Sequence, residues 1–134
     1  MRTILLHALA ATLAVGAVPA CAAEPAAQVR TIASEKLPNL PGNSVTAVLV
    51  NYAPGGRSQA HHHAGSVLAY VLTGAIRSEN SATGPARVYR AGESFFEPPG
   101  SEHRVSENAS TTEPASLLAV FVAPDGAELT RFEP

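Results

Sequence analysis

The sequence predicts an all-β domain: a sandwich or barrel of the jelly-roll kind, built from two antiparallel sheets. Three observations predict it. Short apolar runs recur from Ser44 to Phe132, Gly- and Pro-rich turns separate them at regular intervals, and no run of useful length carries helical apolar spacing. At 134 residues the chain supports one such core plus a targeting segment.

The N-terminus reads as that segment. Arg2 supplies a positive end, Ile4 to Val18 an apolar run, and Pro19-Ala20-Cys21-Ala22-Ala23 small residues suited to cleavage, so residues 1–23 are expected to be a secretory signal. The apolar run falls short of the roughly 20 residues that span a bilayer, so no transmembrane span is expected in the mature protein. The expected location is the periplasm or the exterior. Cys21 after Val18-Pro19-Ala20 also resembles a lipobox, which leaves a lipid-anchored form as the alternative. As the only cysteine, it rules out an internal disulfide and a cysteine-based zinc site.

Residues 24–42, rich in Ala, Pro and short polar residues, read as an extended arm that adds an edge strand or reaches a second subunit, leaving a homodimer open. The domain proper is expected over 43–134. Its first strand is Ser44 to Tyr52, with apolar residues on both faces, which suggests burial between two sheets. Further strands follow at Arg57 to His63, Val67 to Leu72, Ala75 to Asn80, Arg87 to Arg90, Ser94 to Glu97 and His103 to Glu107. Ser116 to Val122 is the most apolar and reads as central, and Leu129 to Phe132 closes the series as an edge.

Composition excludes several functions. The formal charge is −2, Lys36 is the only lysine and the arginines are scattered, so neither nucleic acid nor a membrane surface is an expected partner.

Chemistry concentrates in the histidines. Of five, His61, His62 and His63 are consecutive, His103 follows about forty residues later, and His7 lies in the signal. Strand alternation puts His61 and His63 on one face and His62 on the other. Two imidazoles on one face can share a metal, and His103 after the Pro98-Pro99-Gly100 turn offers a third. Gln59 shares the alternation of His61 and His63 and is a candidate ligand-binding residue, while Arg57 and Arg104 are candidates to hold an anion. Glu97, Glu102 and Glu107 read as solvated turn acids, with a stand-in ligand or general base as the alternative. Phe95, Phe96, Leu117, Val120 and Phe121 read as core or cavity wall.

These residues carry a resemblance. Gly55, His61, His63 and Gly74 fit the first signature of the cupin superfamily, which reads Gly, five residues, His-x-His, three or four residues, Glu, six residues, Gly. Gly92, Pro98, Gly100 and His103 fit the second, which ends on an Asn that falls here at Glu107, one step before Asn108. The resemblance implies a conical β-barrel whose motif residues bind a metal, with His61, His63 and His103 as ligands. At the place of the acidic ligand stands Val67, with Leu68 one step on, and neither can coordinate.

Without that carboxylate, three neutral imidazoles leave a divalent ion its full charge and favour an anionic chelating ligand, and Val67 becomes a ligand-facing position. Imidazole suits iron, zinc, nickel, copper or manganese over magnesium or calcium, and three protein ligands leave positions open for a small molecule. Some relatives, thiol and diketone-cleaving dioxygenases among them, use three-His iron. The expected function is therefore oxygenase-like or other Lewis-acid chemistry on a small organic anion, with no catalytic residue beyond the ligands identified. The alternative is a non-catalytic small-ligand-binding module of the cell envelope.

Overall fold

The computed structural model describes residues 26–133, so the signal segment and Cys21 lie outside the described residues. Among the described residues there is no helix, hence none long and apolar enough to cross a membrane. Eleven strands follow in order: β1 Gln28–Lys36, β2 Asn43–Tyr52, β3 Arg57–Ser58, β4 His61–His63, β5 Ser66–Thr73, β6 Ala75–Asn80, β7 Gly84–Arg90, β8 Ser94–Glu97, β9 Glu102–Asn108, β10 Ala115–Pro124 and β11 Thr130–Phe132.

Two antiparallel sheets face each other, as the sequence predicts for a jelly roll. One runs β1-β2-β10-β5-β8; the other runs β11-β4-β9-β6-β7, with β3 paired to β9. Alternation along the strands builds the space between them. Val48 and Tyr52 of β2, Val67, Ala69 and Val71 of β5, and Leu117, Ala119 and Phe121 of β10 all turn inward and are buried, and Ile76 meets them from β6. β10 is central in its sheet, flanked by β2 and β5 over most of its length.

Two expectations are revised, and the arm takes one of its two expected forms. The stretch from Arg57 to His63 is two short strands, because β3 ends at Ser58 and β4 starts at His61. The arm residues form β1, an exposed edge strand along β2 whose Val29 and Thr31 line the interior cavity. The outer face of the first sheet is apolar yet uncovered: Leu68, Tyr70 and Phe96 are each nearly half exposed there, and Val45, Ala47 and Leu49 only half-buried. Two apolar faces on β2 therefore do not mean two covered faces. Phe96 and Val120 consequently point outward, while Phe95, Leu117 and Phe121 do form cavity wall.

Candidate metal centre

The three histidines come from two neighbouring strands. His61 and His63 share the inner face of β4, and antiparallel pairing sets His61 directly opposite His103 on β9. Their ring centroids lie 4.7 Å (His61–His63), 5.0 Å (His61–His103) and 6.4 Å (His63–His103) apart. All three are buried, and one nitrogen from each lies within 4.8 Å of the others.

The outward-facing nitrogens fix which atoms are free. His61 Nδ1 donates to the Gln59 carbonyl at 2.6 Å and His63 Nδ1 to the Leu129 carbonyl at 3.0 Å. A carbonyl only accepts, so each Nδ1 carries the proton and each Nε2 keeps its lone pair for the interior. His103 is turned the other way. Its Nε2 lies 2.8 Å from the buried Ser78 hydroxyl, which leaves Nδ1 facing the cluster. Such outer hydrogen bonds set ring orientation and tautomer in metal sites, and losing one typically lowers metal affinity about 10–100-fold. Ser78→Ala is expected to weaken metal binding by roughly 10-fold, read by chelator competition; unchanged affinity would mean that Ser78 does not orient His103.

Burial favours the neutral form of His61 and His63. Desolvation lowers the His61 pKa to about 4, helped by the neighbouring rings of His103 and His63 and opposed by its bond to Gln59, and desolvation also lowers His63. Proton competition at His61 therefore starts well below its ordinary value near 6.5. The consequence for the metal-free protein has a definite sign. Between 6.5 and about 4 the unfolded chain holds more protons at this position than the folded one, so stability is full above that window and falls as pH drops through it. From His61 alone the loss is roughly 3 kcal/mol. Thermal unfolding in EDTA from pH 7.5 to 4 measures it, and a flat melting temperature would contradict it.

Glu97 is the residue the sequence places wrongly. It reads as a solvated turn acid, yet it is 3% exposed, at the end of β8 in the opposite sheet and facing the histidines. Its Oε2 lies 2.9 Å from His103 Nδ1 and 3.6 Å from His63 Nε2. Burial pushes its pKa up, but His103, His63 and His61 pull harder, and the net shift is downward. Glu102 and Glu107 do lie at the surface, paired with Arg104 and Arg77.

The remaining candidates fall outside the centre. Gln59, in the break between β3 and β4, is exposed and touches His61 only through its carbonyl. Arg57 and Arg104 are exposed and line an outer cleft with Gln59, not the cavity. Val67 is wholly buried in the core layer and is not among the cavity-lining residues. His62 points out and pairs with Glu133 at 2.5 Å.

The histidines open onto a cavity of about 380 Å³. Its wall is mostly apolar, including Val48, Ala69, Phe95, Leu117, Ala119 and Phe121. Among its polar groups is the hydroxyl of Tyr52, 3.0 Å from Ser58 Oγ and 2.8 Å from Ser106 Oγ. Burial holds the Tyr52 phenol above its ordinary pKa, so it stays protonated.

The residues present fit a transition-metal ion. Imidazole donors are the right type, and two atoms within the cluster are orphaned: His103 Nδ1 and Glu97 Oε2 are buried without a hydrogen-bond partner, close together but not aligned to share a proton.

No curated protein sequence matches the chain. Solved structures do. An uncharacterised conserved protein with a double-stranded β-helix domain from Klebsiella pneumoniae superposes with a TM-score of 0.61 at 22% identity, over 87% of this chain and 90% of that one. A cupin domain from Bordetella pertussis superposes at 0.58 and 20% identity, over 75% and 96%. The DMSP lyase DddQ from Ruegeria pomeroyi superposes at 0.56 and 19% identity, over 66% of this chain; the match spans only 42% of the lyase. These likenesses speak for the fold. The family model described as the cupin domain matches residues 48–121, more than half of the sequence, running from within β2 to within β10 and taking in all three histidines: the chain belongs to the cupin family.

Proposed function

We propose that this protein is an exported, metal-dependent cupin that takes a small organic molecule into its barrel and acts on it as an enzyme. The observation that carries the reading is the convergence of three buried imidazoles, each with one nitrogen left for the interior, on the wall of an apolar cavity. His61, His63 and His103 would hold the ion. A bound transition metal supplies Lewis acidity toward a ligand oxygen and, in the case of iron, affinity for dioxygen.

The rest of the chain's work is selection and positioning. The apolar wall excludes water and favours a ligand with a hydrocarbon body. Tyr52, with Ser58 and Ser106, forms a hydroxyl patch on that wall that can hydrogen-bond a ligand. Among the described residues no Lys or Arg lines the cavity, so none of them offers a bound anion a guanidinium or ammonium there. The ligand class this supports is a small molecule with an apolar body and one oxygen-bearing chelating group, such as a diketone or a phenol. The lyase among the structural neighbours is a reason to assay elimination as well as oxygenation.

The test is a substrate panel. Iron- or zinc-loaded protein is incubated with diketones, thiols, phenols and small carboxylates, following oxygen uptake and product formation, with His61→Ala alongside. Metal-dependent turnover of a panel member that the variant lacks is expected. Tight binding with no turnover would favour the binding-module alternative, and neither binding nor turnover would overturn the reading.

A further inference from the structure

We infer that Glu97 is a fourth donor to this centre: the carboxylate that the first signature lacks at Val67 is delivered instead from the neighbouring strand. The inference rests on the metal reading proposed above and adds a donor, and hence a charge, to it.

Register makes the exchange possible. Val67 on β5 and Glu97 on β8 are directly paired, so their side chains leave the sheet on the same face at the same level. A carboxylate at either position enters the same layer. The two Gly- and Pro-rich boundaries of β8 then fix its end against the other sheet: Glu97 is followed by Pro98-Pro99-Gly100, and Gly100 N–H donates to the His63 carbonyl at 2.9 Å. The turn thus ties the strand bearing Glu97 to the strand bearing two of the histidines.

The state of Glu97 Oε2 calls for a cation. It is buried and has no hydrogen-bond partner. Among the described residues no Lys or Arg lines the cavity, so no guanidinium or ammonium faces this oxygen. A divalent ion among the imidazoles would give this buried oxygen the bonding partner it lacks, together with an opposite charge. Distances agree. Two donors bonded to one ion at about 2.1 Å and at right angles stand about 3 Å apart, and Glu97 Oε2 is 2.9 Å from His103 Nδ1. A direct Glu97–His103 hydrogen bond is the competing assignment, and the pair lacks its alignment.

The added donor alters ligand preference. Three imidazoles alone leave a divalent ion at +2, whereas a bound carboxylate brings the centre to about +1. That favours neutral or singly charged chelating groups over dianions, consistent with the apolar wall. It also means that Val67→Glu alone adds a second carboxylate beside the first.

Co²⁺ titration of the mature protein and its variants, read by chelator competition and visible absorption, tests the inference. Glu97→Gln keeps the shape and removes the charge. Relative to wild type it is expected to bind Co²⁺ about 10–100-fold more weakly and with altered absorption bands, while a cooperative melting transition in EDTA shows that the variant is folded. The exchange variant Val67→Glu with Glu97→Val is expected to recover most of the lost affinity. Wild-type affinity and bands in Glu97→Gln, with binding lost in His61→Ala, would overturn the role of Glu97 and leave the three-His centre standing. Equal Co²⁺ binding by wild type and His61→Ala would overturn both.

Discussion

Protein comprising residues 24–134, produced without a tag or nickel column, is expected to carry about one transition-metal ion per chain, and the pair His61→Ala with His103→Ala to carry almost none. The effect should be large because the substitutions remove one ligand from each of the two strands that form the centre. An ion left with His63 and Glu97 has half its donors. Each lost imidazole also opens space in the cavity wall, where water competes for the ion. A drop in affinity of at least about 1,000-fold is the expected size. Elemental analysis measures the content, and melting temperatures with and without EDTA separate metal loss from unfolding. Sub-stoichiometric metal in the wild type, unchanged in the double variant, would remove the metal reading.

Gly74→Ala is expected to be strongly destabilising although it lies outside the centre. Gly74 joins β5 to β6, where the chain passes from one sheet to the other, and has a φ of 68°. A Cβ there would stand 2.6 Å from the Pro114 carbonyl oxygen and 2.9 Å from Ala115 Cβ. An L-residue in this conformation costs about 1–2 kcal/mol before any clash. With a backbone atom in the way, the total is roughly 3 kcal/mol, or about 10–20 °C in melting temperature. Gly92→Ala is the matched control: its φ is 90°, but the nearest atom to an added Cβ is the Tyr70 hydroxyl at 4.0 Å. It should lose only the conformational part. Equal losses in the two variants would show that the Pro114 contact is relieved at little cost.

Local features of the site could be read from sequence and cross-strand features could not. The glycine frames were legible because a positive φ demands glycine: Gly55, Gly74, Gly92 and Gly100 all have φ between 68° and 90°. The common face of His61 and His63 followed from strand alternation alone. The same rule failed two residues earlier, at Gln59, because β3 and β4 do not form one strand and alternation lapses in the gap. Glu97 was misread for a different reason. An acid before two prolines at a strand end looks like a solvated turn residue, and only its pairing with Val67 across strands reveals that it points into the barrel. The strand in the arm left no pattern because β1 is exposed along its whole length. The apolar outer residues Leu68, Tyr70 and Phe96 imitated a second buried face.

All of this depends on three rings sharing one ion. Anomalous diffraction from crystals of the metal-loaded protein, recorded on both sides of the metal's absorption edge, locates the ion without reference to any ligand. A single peak in contact with His61 Nε2, His63 Nε2 and His103 Nδ1, at the wall of the apolar cavity, is the expected result. A peak at the outer cleft of Arg57 and Arg104, or none inside the barrel while the protein is shown to carry metal, would contradict the account.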